Sequence, residues 1–572
     1  MAWAVAASSG GGARCGAGVQ RGGALGSSRR LGSDLRTLWS RVAGNRSSIG
    51  SGSEGGTGGG RGISGGGVAH RGLATCAASP RSGAAAAAEP TGPRVCILGG
   101  GFGGLYTAVK LESLMWPRGT KPRVTLIDQS ERFSFKPLLY EVLSGAASEA
   151  EVAPPFAQLL APYPVAFVQG RVASVQQDDA AQDGSSAGGG VVVLADGASV
   201  PYDWLVVSLG AETSTFGIPG VRQCALPFST YQDAQRVNDR LAVLEQALSY
   251  PEVVVVGGGY AGVELAAAVA DRLKGRARVK LVTSGRDILE GSPQGNRETA
   301  RRVLQDQGVS ILTGAQVTEM RLAGSSSNGG GDSADGSSGV KDLAKRLVYL
   351  RDSEGQQEIL EADLVLWSAG QAPVSRPGAA AVEERAGPAL PFATNARGAL
   401  QTDPTLRALH HSRVFALGDI AVSSGGREQP ALPATAQVAF QQADYVAWNV
   451  WASINNKPLL NFSYQHLGDM MSLGAASGAV TLPIPVPPPL SAAASGSGPL
   501  GTLLRAAGVK LSGSYGGASD GVTLDGPLAA AVRRAAYLYR QPTLEQQVRV
   551  AGGWAKQLTS VLAAAAGRPT QR

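Results

Sequence analysis

The sequence predicts an α/β fold with two parallel sheets of one design, each opened by a strand, a tight glycine turn and a helix. Three observations predict it. The first is Val95-Cys-Ile-Leu-Gly99-Gly-Gly101-Phe102-Gly103-Gly104, four apolar residues running into a glycine cluster. Leu105-Tyr-Thr-Ala-Val-Lys-Leu-Glu-Ser-Leu follows with the periodicity of an amphipathic helix. The second is Val124-Thr-Leu-Ile-Asp128, a strand ending on an acid 24 residues after Gly104. The third is the recurrence of the whole motif at Val253-Val-Val-Val-Gly257-Gly-Gly259-Tyr260-Ala261-Gly262-Val-Glu264-Leu-Ala.

Both stretches match G-x-G-x-x-G, at Gly99, Gly101 and Gly104 and at Gly257, Gly259 and Gly262. In this pattern the first glycine permits the turn and the second lets a pyrophosphate approach the backbone. The third lets helix pack on strand. The helix N-terminus then offers free N–H groups and a partial positive charge to the phosphates. Asp128 stands where a ribose hydroxyl needs an acceptor. Two such units imply two Rossmann-type domains holding two nucleotides side by side, usually a flavin and a nicotinamide.

In the second copy the next strand, Val279-Lys-Leu-Val, ends on Thr283 and Ser284, with Arg286 close by. An acid at this position selects NADH through the ribose 2′-hydroxyl. It repels a 2′-phosphate by roughly 1–4 kcal/mol, depending on local dielectric. Its absence beside an arginine predicts NADPH or use of both nucleotides.

Elsewhere the chain reads in order. Gln129-Ser-Glu-Arg-Phe-Ser-Phe-Lys136-Pro-Leu-Leu-Tyr140 is a loop of the kind that covers a flat cofactor. Val165–Val172, Val191–Leu194 and Val200–Ala211 are strands, the last ending on Gly210-Ala211, where backbone can approach a ligand. Residues 229–248 are helical by pattern. Ile359–Trp367 reads as paired strands running to Gly370-Gln-Ala-Pro373, which closes the second nucleotide domain. Arg413-Val-Phe-Ala-Leu-Gly418-Asp419 is an apolar strand whose terminal acid can accept hydrogen bonds from a ribityl chain. The helix that follows points its N-terminus at a flavin ring, where its dipole stabilises an anionic reduced form. Gln437 and Gln441 lie one turn apart on one face of it. Residues 177–190 and 323–341 are low-complexity inserts, and 483–520 is rich in Pro, Gly, Ser and Ala. Leu528–Arg540 and Leu544–Ala566 are candidate helices. Arg533, Arg534 and Arg540 beside Tyr537 and Tyr539 suit a membrane surface, and domain packing or a dimer contact equally.

A chain of 572 residues accommodates two or three domains and a large core. Residues 1–93 hold ten arginines, no lysine and three acids, Asp34, Glu54 and Glu89. This leader alone carries +7, the net charge of the whole chain, so the basic pI makes no case for nucleic-acid binding. Rich in Arg, Ser, Ala and Gly, it reads as an organelle transit peptide, and composition does not separate chloroplast from mitochondrion. Only Cys96 and Cys224 follow the leader; there is no C-x-x-C and no metal-ligand spacing. The longest uncharged run, Met470–Leu504, is broken by six prolines, so no segment predicts a membrane span.

Together these motifs resemble the two-dinucleotide-binding-domain flavoprotein reductases, the glutathione-reductase-like class, and within it the type II NAD(P)H:quinone oxidoreductases. The features are Gly99–Gly104 with Asp128, Tyr202–Ala211, Gly257–Glu264, Trp367–Pro373, Gly418-Asp419 and the helix from Ala436 to Gln442. Phe133-Ser-Phe-Lys-Pro-Leu-Leu-Tyr-Glu, Ala452-Ser-Ile-Asn-Asn-Lys-Pro and Gly468-Asp-Met-Met-Ser-Leu-Gly474 resemble the plant and algal plastid branch, that of the demethylphylloquinone reductases. The resemblance implies FAD at Gly99, Gly101, Phe102, Gly103, Gly104, Asp128, Gln129, Lys136, Val172, Gly210, Ala211, Gly418, Asp419, Ala436 and Gln437. It implies NADPH or NADH at Gly257, Gly259, Tyr260, Ala261, Gly262, Glu264, Thr283, Ser284, Arg286 and Gly370. Glu264 falls near the nicotinamide and Gln437 near both the flavin ring and the quinone; Glu264, Gln437 and Gln441 form the expected catalytic set. Monotopic membrane attachment through C-terminal helices, a homodimer and a thylakoid or plastoglobule surface are implied too. Thr283 departs from the family's acid, against a strict NADH preference.

The expected organisation is a leader (1–93), an FAD-binding domain (94–248 and 371–482), an inserted NAD(P)H-binding domain (249–370), an insert (483–520) and a C-terminal membrane-surface or dimer region (521–572). The expected reaction is hydride transfer from NAD(P)H to flavin, then two-electron reduction of plastoquinone, demethylphylloquinone or ubiquinone. The protein orients the rings, and water or Glu264 supplies protons. A route through a cysteine pair lacks the cysteines. Reduction of a small iron–sulfur protein, or non-catalytic NAD(P)H sensing, are the other readings.

Overall fold

The computed structural model describes residues 92–178, 189–324, 343–375, 387–423, 432–484, 498–515 and 519–566. The expected leader and parts of the three inserts lie outside these ranges.

Arg94–Leu98 and Glu252–Val256 are each the middle strand of a five-stranded parallel sheet. Their runs are apolar because both faces are covered: Ile97, Leu98, Val253 and Val255 have no exposed surface. The first sheet runs Val414–Ala416, Trp204–Val207, Arg94–Leu98, Arg123–Asp128, Val165–Gln169. The second runs Ser310–Leu312, Arg278–Val282, Glu252–Val256, Leu364–Trp367, Ala225–Pro227. In both, the chain leaves the middle strand in one direction and later returns on its other side. Each glycine turn therefore opens at a topological switch point, where open α/β sheets take their ligands. The second sheet draws in Ala225–Pro227, upstream of the boundary expected at 249.

The two halves match further. Each carries a three-stranded antiparallel sheet before its late parallel strand: Val172–Gln177, Gly190–Leu194 and Ser199–Tyr202 in one, Gln316–Leu322, Arg346–Arg351 and Gln357–Ala362 in the other. These sheets correct two expectations. Val165–Val172 is not one strand, because the chain leaves the parallel sheet at Gly170 and Val172 starts the antiparallel one. Ile359–Trp367 does not pair with itself, because Asp363 divides it between two sheets. That carboxylate accepts the Glu252 N–H (2.8 Å) and binds Lys345 (3.1 Å). Ala211–Thr213 and Gln371–Pro373, which leave the two parallel sheets, pair antiparallel.

After the helix Ala436–Ile454 comes a four-stranded antiparallel sheet in the order Asp469–Ser472, Gly478–Leu482, Ser519–Asp525, Val509–Tyr515. The insert expected over 483–520 thus holds a helix, Pro499–Ala506, one whole strand, Val509–Tyr515, and the start of the next, Ser519–Asp525. Its small-residue composition hid the alternation of Val509-Lys-Leu-Ser. Two helices close the chain, Gly526–Tyr539 and Leu544–Ala566. The first corrects the membrane-surface reading of its arginines. Arg533 is fully buried and paired with Glu141, Arg534 joins them (3.0 Å), and Arg540 lies over the Phe440 ring (4.2 Å). Tyr537 packs edge-on against Phe135, and Tyr539 alone of the group faces solvent, 74 % exposed.

Candidate active site

The two glycine turns have one geometry. Gly99 and Gly257 take positive φ (93° and 124°), which a side chain disfavours. A Cβ on Gly104 would fall 1.8 Å from the Gly99 carbonyl oxygen, and one on Gly262 1.8 Å from that of Gly257. A Cβ on Gly101 or Gly259 would meet nothing within 4 Å. The outer residues are glycine so that helix can touch strand. The middle ones front open space at the head of a helix that no side chain caps. Both cradles fit the diphosphate of a dinucleotide.

Around the first cradle, Asp128 Oδ2 accepts the Gly100 N–H (2.6 Å) and Oδ1 the Ser130 N–H (2.8 Å). Burial raises its pKa against both bonds. Asp128 therefore ties the glycine turn to Ser130 through its two carboxylate oxygens. Phe102 stacks edge-on with Phe133 and Phe135 (5.3 and 5.4 Å), and Gly103 is buried against Leu417. Val172 is a core residue. Gln129 contributes its carbonyl to Gln169 (3.4 Å). Gly210 and Gly418 have positive φ (73° and 74°), and Ala211 pairs with Pro373. Burial raises the pKa of Asp419 and the Lys136 charge opposes it, so the fold brings these two distant residues together. Gln442, unassigned from sequence, is buried and accepts the Gly418 N–H at Oε1 (2.7 Å), locking the Gly-Asp turn to the helix.

Around the second cradle, Thr283 is buried and its Oγ1 accepts the Gly285 N–H (3.2 Å), while Ser284 and Arg286 are exposed. Glu290 also escaped sequence reading. Its Oε1 accepts the N–H groups of Arg286 (2.6 Å) and Asp287 (3.2 Å), and Leu289 N–H donates to the Gly258 carbonyl (2.8 Å). Tyr260 shares a hydrogen bond with Ser292 (2.7 Å), and Ala261 continues the same helix. Gly370, at φ 73°, accepts the Ser214 N–H (3.2 Å) and faces the Phe216 ring.

Glu264, one turn into the second glycine-loop helix, is buried, and its Oε1 accepts the Ser472 N–H (2.8 Å). Burial pushes its carboxyl up to about 7, against the Ser472 N–H and the Arg533 charge, with Glu141 adding to the rise. A carboxyl poised there can hold or release a proton at neutral pH. Glu141, and the place of Arg533 beside Glu264, escaped the sequence because Glu141 and Arg533 lie 392 residues apart.

The helix from Ala436, capped by Thr435, directs Gln437 and Gln441 to the segment 464–468. Gln437 Oε1 accepts from the Tyr464 hydroxyl (2.6 Å) and Leu467 N–H (3.0 Å), and its Nε2 donates to the Gly468 carbonyl (3.1 Å). Gln441 clasps Gln465 by two backbone bonds (2.8 and 3.0 Å). Among the described residues, no group of His, Cys, Asp and Glu side chains could hold a metal ion. Cys96 and Cys224 are free, buried and in separate hydrophobic clusters.

The model of the pyridine nucleotide-disulphide oxidoreductase family matches residues 93–443. The chain is 42 % identical over 474 residues to the alternative NAD(P)H-ubiquinone oxidoreductase C1, chloroplastic/mitochondrial, of Arabidopsis thaliana, covering 81 % of this chain and 80 % of that one. It is 36 % identical over 465 residues to the demethylphylloquinone reductase NdbB of Synechocystis sp., covering 81 % and 95 %. Among solved structures, NDH2 from Plasmodium falciparum in complex with NADH shares the fold, with TM-score 0.58 at 16 % identity over 81 % of this chain and 98 % of that one. With two matching cradles, switch-point sheets and these relatives, the chain belongs to the pyridine nucleotide-disulphide oxidoreductase family, as a type II NAD(P)H:quinone oxidoreductase-like flavoprotein.

Proposed function

We propose that this chain is an FAD-dependent NAD(P)H:quinone oxidoreductase that reduces a membrane quinone by two electrons without pumping protons. The observation that carries the reading is a pair of open glycine cradles in a chain whose two described cysteines are buried apart. No thiol pair stands between the donor and the acceptor among the described residues. Relatives named for ubiquinone and for demethylphylloquinone support a quinone as that acceptor.

The turn Gly99–Gly104, with Asp128 and Gly418-Asp419, holds FAD. The turn Gly257–Gly262, with Thr283, Ser284 and Arg286, holds NADPH or NADH. FAD, when bound, accepts a hydride from the nicotinamide and passes electrons to the quinone. Glu264 shapes the nicotinamide side, and Gln437 lies beside the flavin ring and the quinone. The enzyme works as a homodimer in the chloroplast, on a thylakoid or plastoglobule surface, or in the mitochondrion. The Arabidopsis relative's name and the arginine-rich leader support those compartments. No helix among the described residues is long and apolar enough to cross a membrane. Exposed Tyr539, Leu544 and Val548, at the corner between the last two helices, support contact with a membrane surface.

The test is anaerobic. The full chain, purified yellow, is mixed with NADPH or NADH and then with a prenylated naphthoquinone or benzoquinone. Bleaching by the nucleotide and prompt return of colour on adding quinone are expected. Bleaching with no return of colour would overturn the quinone assignment, in favour of a protein acceptor or a sensing role.

A further inference from the structure

Tyr464 and His466, between the helix Ala436–Ile454 and the strand Asp469–Ser472, form a chain of polar contacts with the strand's first residue, Asp469. The Tyr464 hydroxyl donates to Gln437 Oε1 (2.6 Å). His466 Nδ1 lies 3.3 Å from the same hydroxyl, and its Nε2 lies 3.4 Å from Asp469 Oδ2. Tyr260, from the second glycine-loop helix, also bonds Asp469. The His466 and Asp469 side chains keep 30 % and 24 % of their surface in solvent. Tyr464 is half-buried between them and Gln437. The line thus runs from solvent to the glutamine placed beside the acceptor.

Reducing a quinone to a quinol takes two electrons and two protons. NAD(P)H contributes a hydride, which is two electrons and one proton. The second proton comes from the medium and needs a path. Resting on the quinone reading above, the geometry points to Tyr464 as the proton donor to the quinone oxygen, with His466 as the positioning residue that refills it from solvent.

In that step the Tyr464 O–H bond breaks and a quinol O–H bond forms. The imidazolium Nδ1–H passes its proton to the phenolate oxygen. Neutral His466 then takes a proton from water, with the Asp469 carboxylate 3.4 Å from its Nε2. The substrate oxygen replaces Gln437 Oε1 as acceptor of the tyrosine proton. Gln437 Oε1 keeps the Leu467 N–H (3.0 Å), so the exchange orphans no acceptor. Burial, with the Asp469 charge, pushes the Tyr464 phenol up to about 12, so it carries its proton at neutral pH. Tyr464 on its own segment and Asp469 at the start of the next strand both face His466.

The test uses the full-length holoenzyme with two acceptors: menadione, which takes electrons and protons, and ferricyanide, which takes electrons only. Tyr464→Phe and His466→Asn should lower kcat with menadione by about a hundredfold. Ferricyanide rates, and bleaching by NAD(P)H, should not change. Added imidazole should restore the menadione rate of His466→Gly. Equal losses with both acceptors, or unchanged menadione rates, overturn the proposal while the quinone reading stands. A wild-type enzyme that reduces ferricyanide but no quinone overturns that reading, and this proposal with it.

Discussion

Arg533 and Glu141 form an ion pair with 0 and 2 % of their side chains exposed, tying the helix Gly526–Tyr539 to the turn Lys136–Val142. Arg534 is the second cation on Glu141, 28 % exposed, and the Arg533 guanidinium sits over the Tyr537 ring (5.3 Å). Removing one partner of a buried pair costs about 3–5 kcal/mol, because the other charge stays buried. Arg534 remains to offset part of this, so Arg533→Met should cost about 3 kcal/mol in urea denaturation. Arg534→Ala should cost under about 1 kcal/mol, since water screens its contribution. Equal effects would mean that the two arginines share the carboxylate evenly.

The glycine turns separate two kinds of damage. A Cβ on Gly104 meets the Gly99 carbonyl at 1.8 Å, so Gly104→Ala must push helix off strand and should yield little folded protein. Gly101→Ala places its methyl in open space. That variant should fold with an unchanged melting temperature yet purify colourless, because the methyl stands where a diphosphate would approach. Retained colour in Gly101→Ala would place the diphosphate elsewhere.

Glu264 gives a pH signature. Its carboxyl is held up to about 7 in the folded chain, against an ordinary value of 4.5. Between those values the folded state binds more protons than the unfolded state, so this group's stabilisation is complete below 4.5 and is lost as pH rises toward 7. The loss is on the order of 3 kcal/mol. Glu264→Gln keeps an acceptor for the Ser472 N–H and removes the titration. Denaturation curves at pH 4.5 and 8 should show the variant gaining on wild type at the higher pH. Parallel curves would show a carboxylate already ionised when folded.

Both central strands, both cradles and the helix at Ala436 were legible because their signals are local: an apolar run, three glycines at fixed spacing, an amphipathic period. Asp363 was not. It splits an unbroken β pattern between two sheets, and only its bond to Glu252 shows why. Gln442 was passed over for its neighbours Gln437 and Gln441, since a helix wheel does not tell which glutamine meets Gly418. The arginines of the last helices suited a membrane surface and domain packing equally, because a buried ion pair is visible only once Glu141 is beside them. Tyr464 and His466 lie in a segment with no periodicity at all.

The loop after Val282 offers a test of the nucleotide preference. Thr283 ends its strand with a hydroxyl, and Gly258 packs close enough that a Cβ there would strike Thr283 Oγ1 at 2.5 Å. The next residues fold back onto the glycine turn, and Glu290 holds the N–H groups of Arg286 and Asp287. Arg286 is thereby presented with an exposed side chain from a loop whose amides are occupied by a carboxylate. Thr283→Asp restores an acid at the strand end and should repel a 2′-phosphate by roughly 1–4 kcal/mol. The ratio of kcat/KM for NADPH over NADH should then fall at least about fivefold, with most of the change in the NADPH term. Glu290→Gln keeps an acceptor for both amides and removes a negative charge near the same phosphate, so the ratio should rise. Steady-state rates with each nucleotide, at matched low salt, measure both. A ratio unmoved by Thr283→Asp would mean that the 2′-phosphate is read elsewhere, and that Thr283 is there only to fit beneath Gly258.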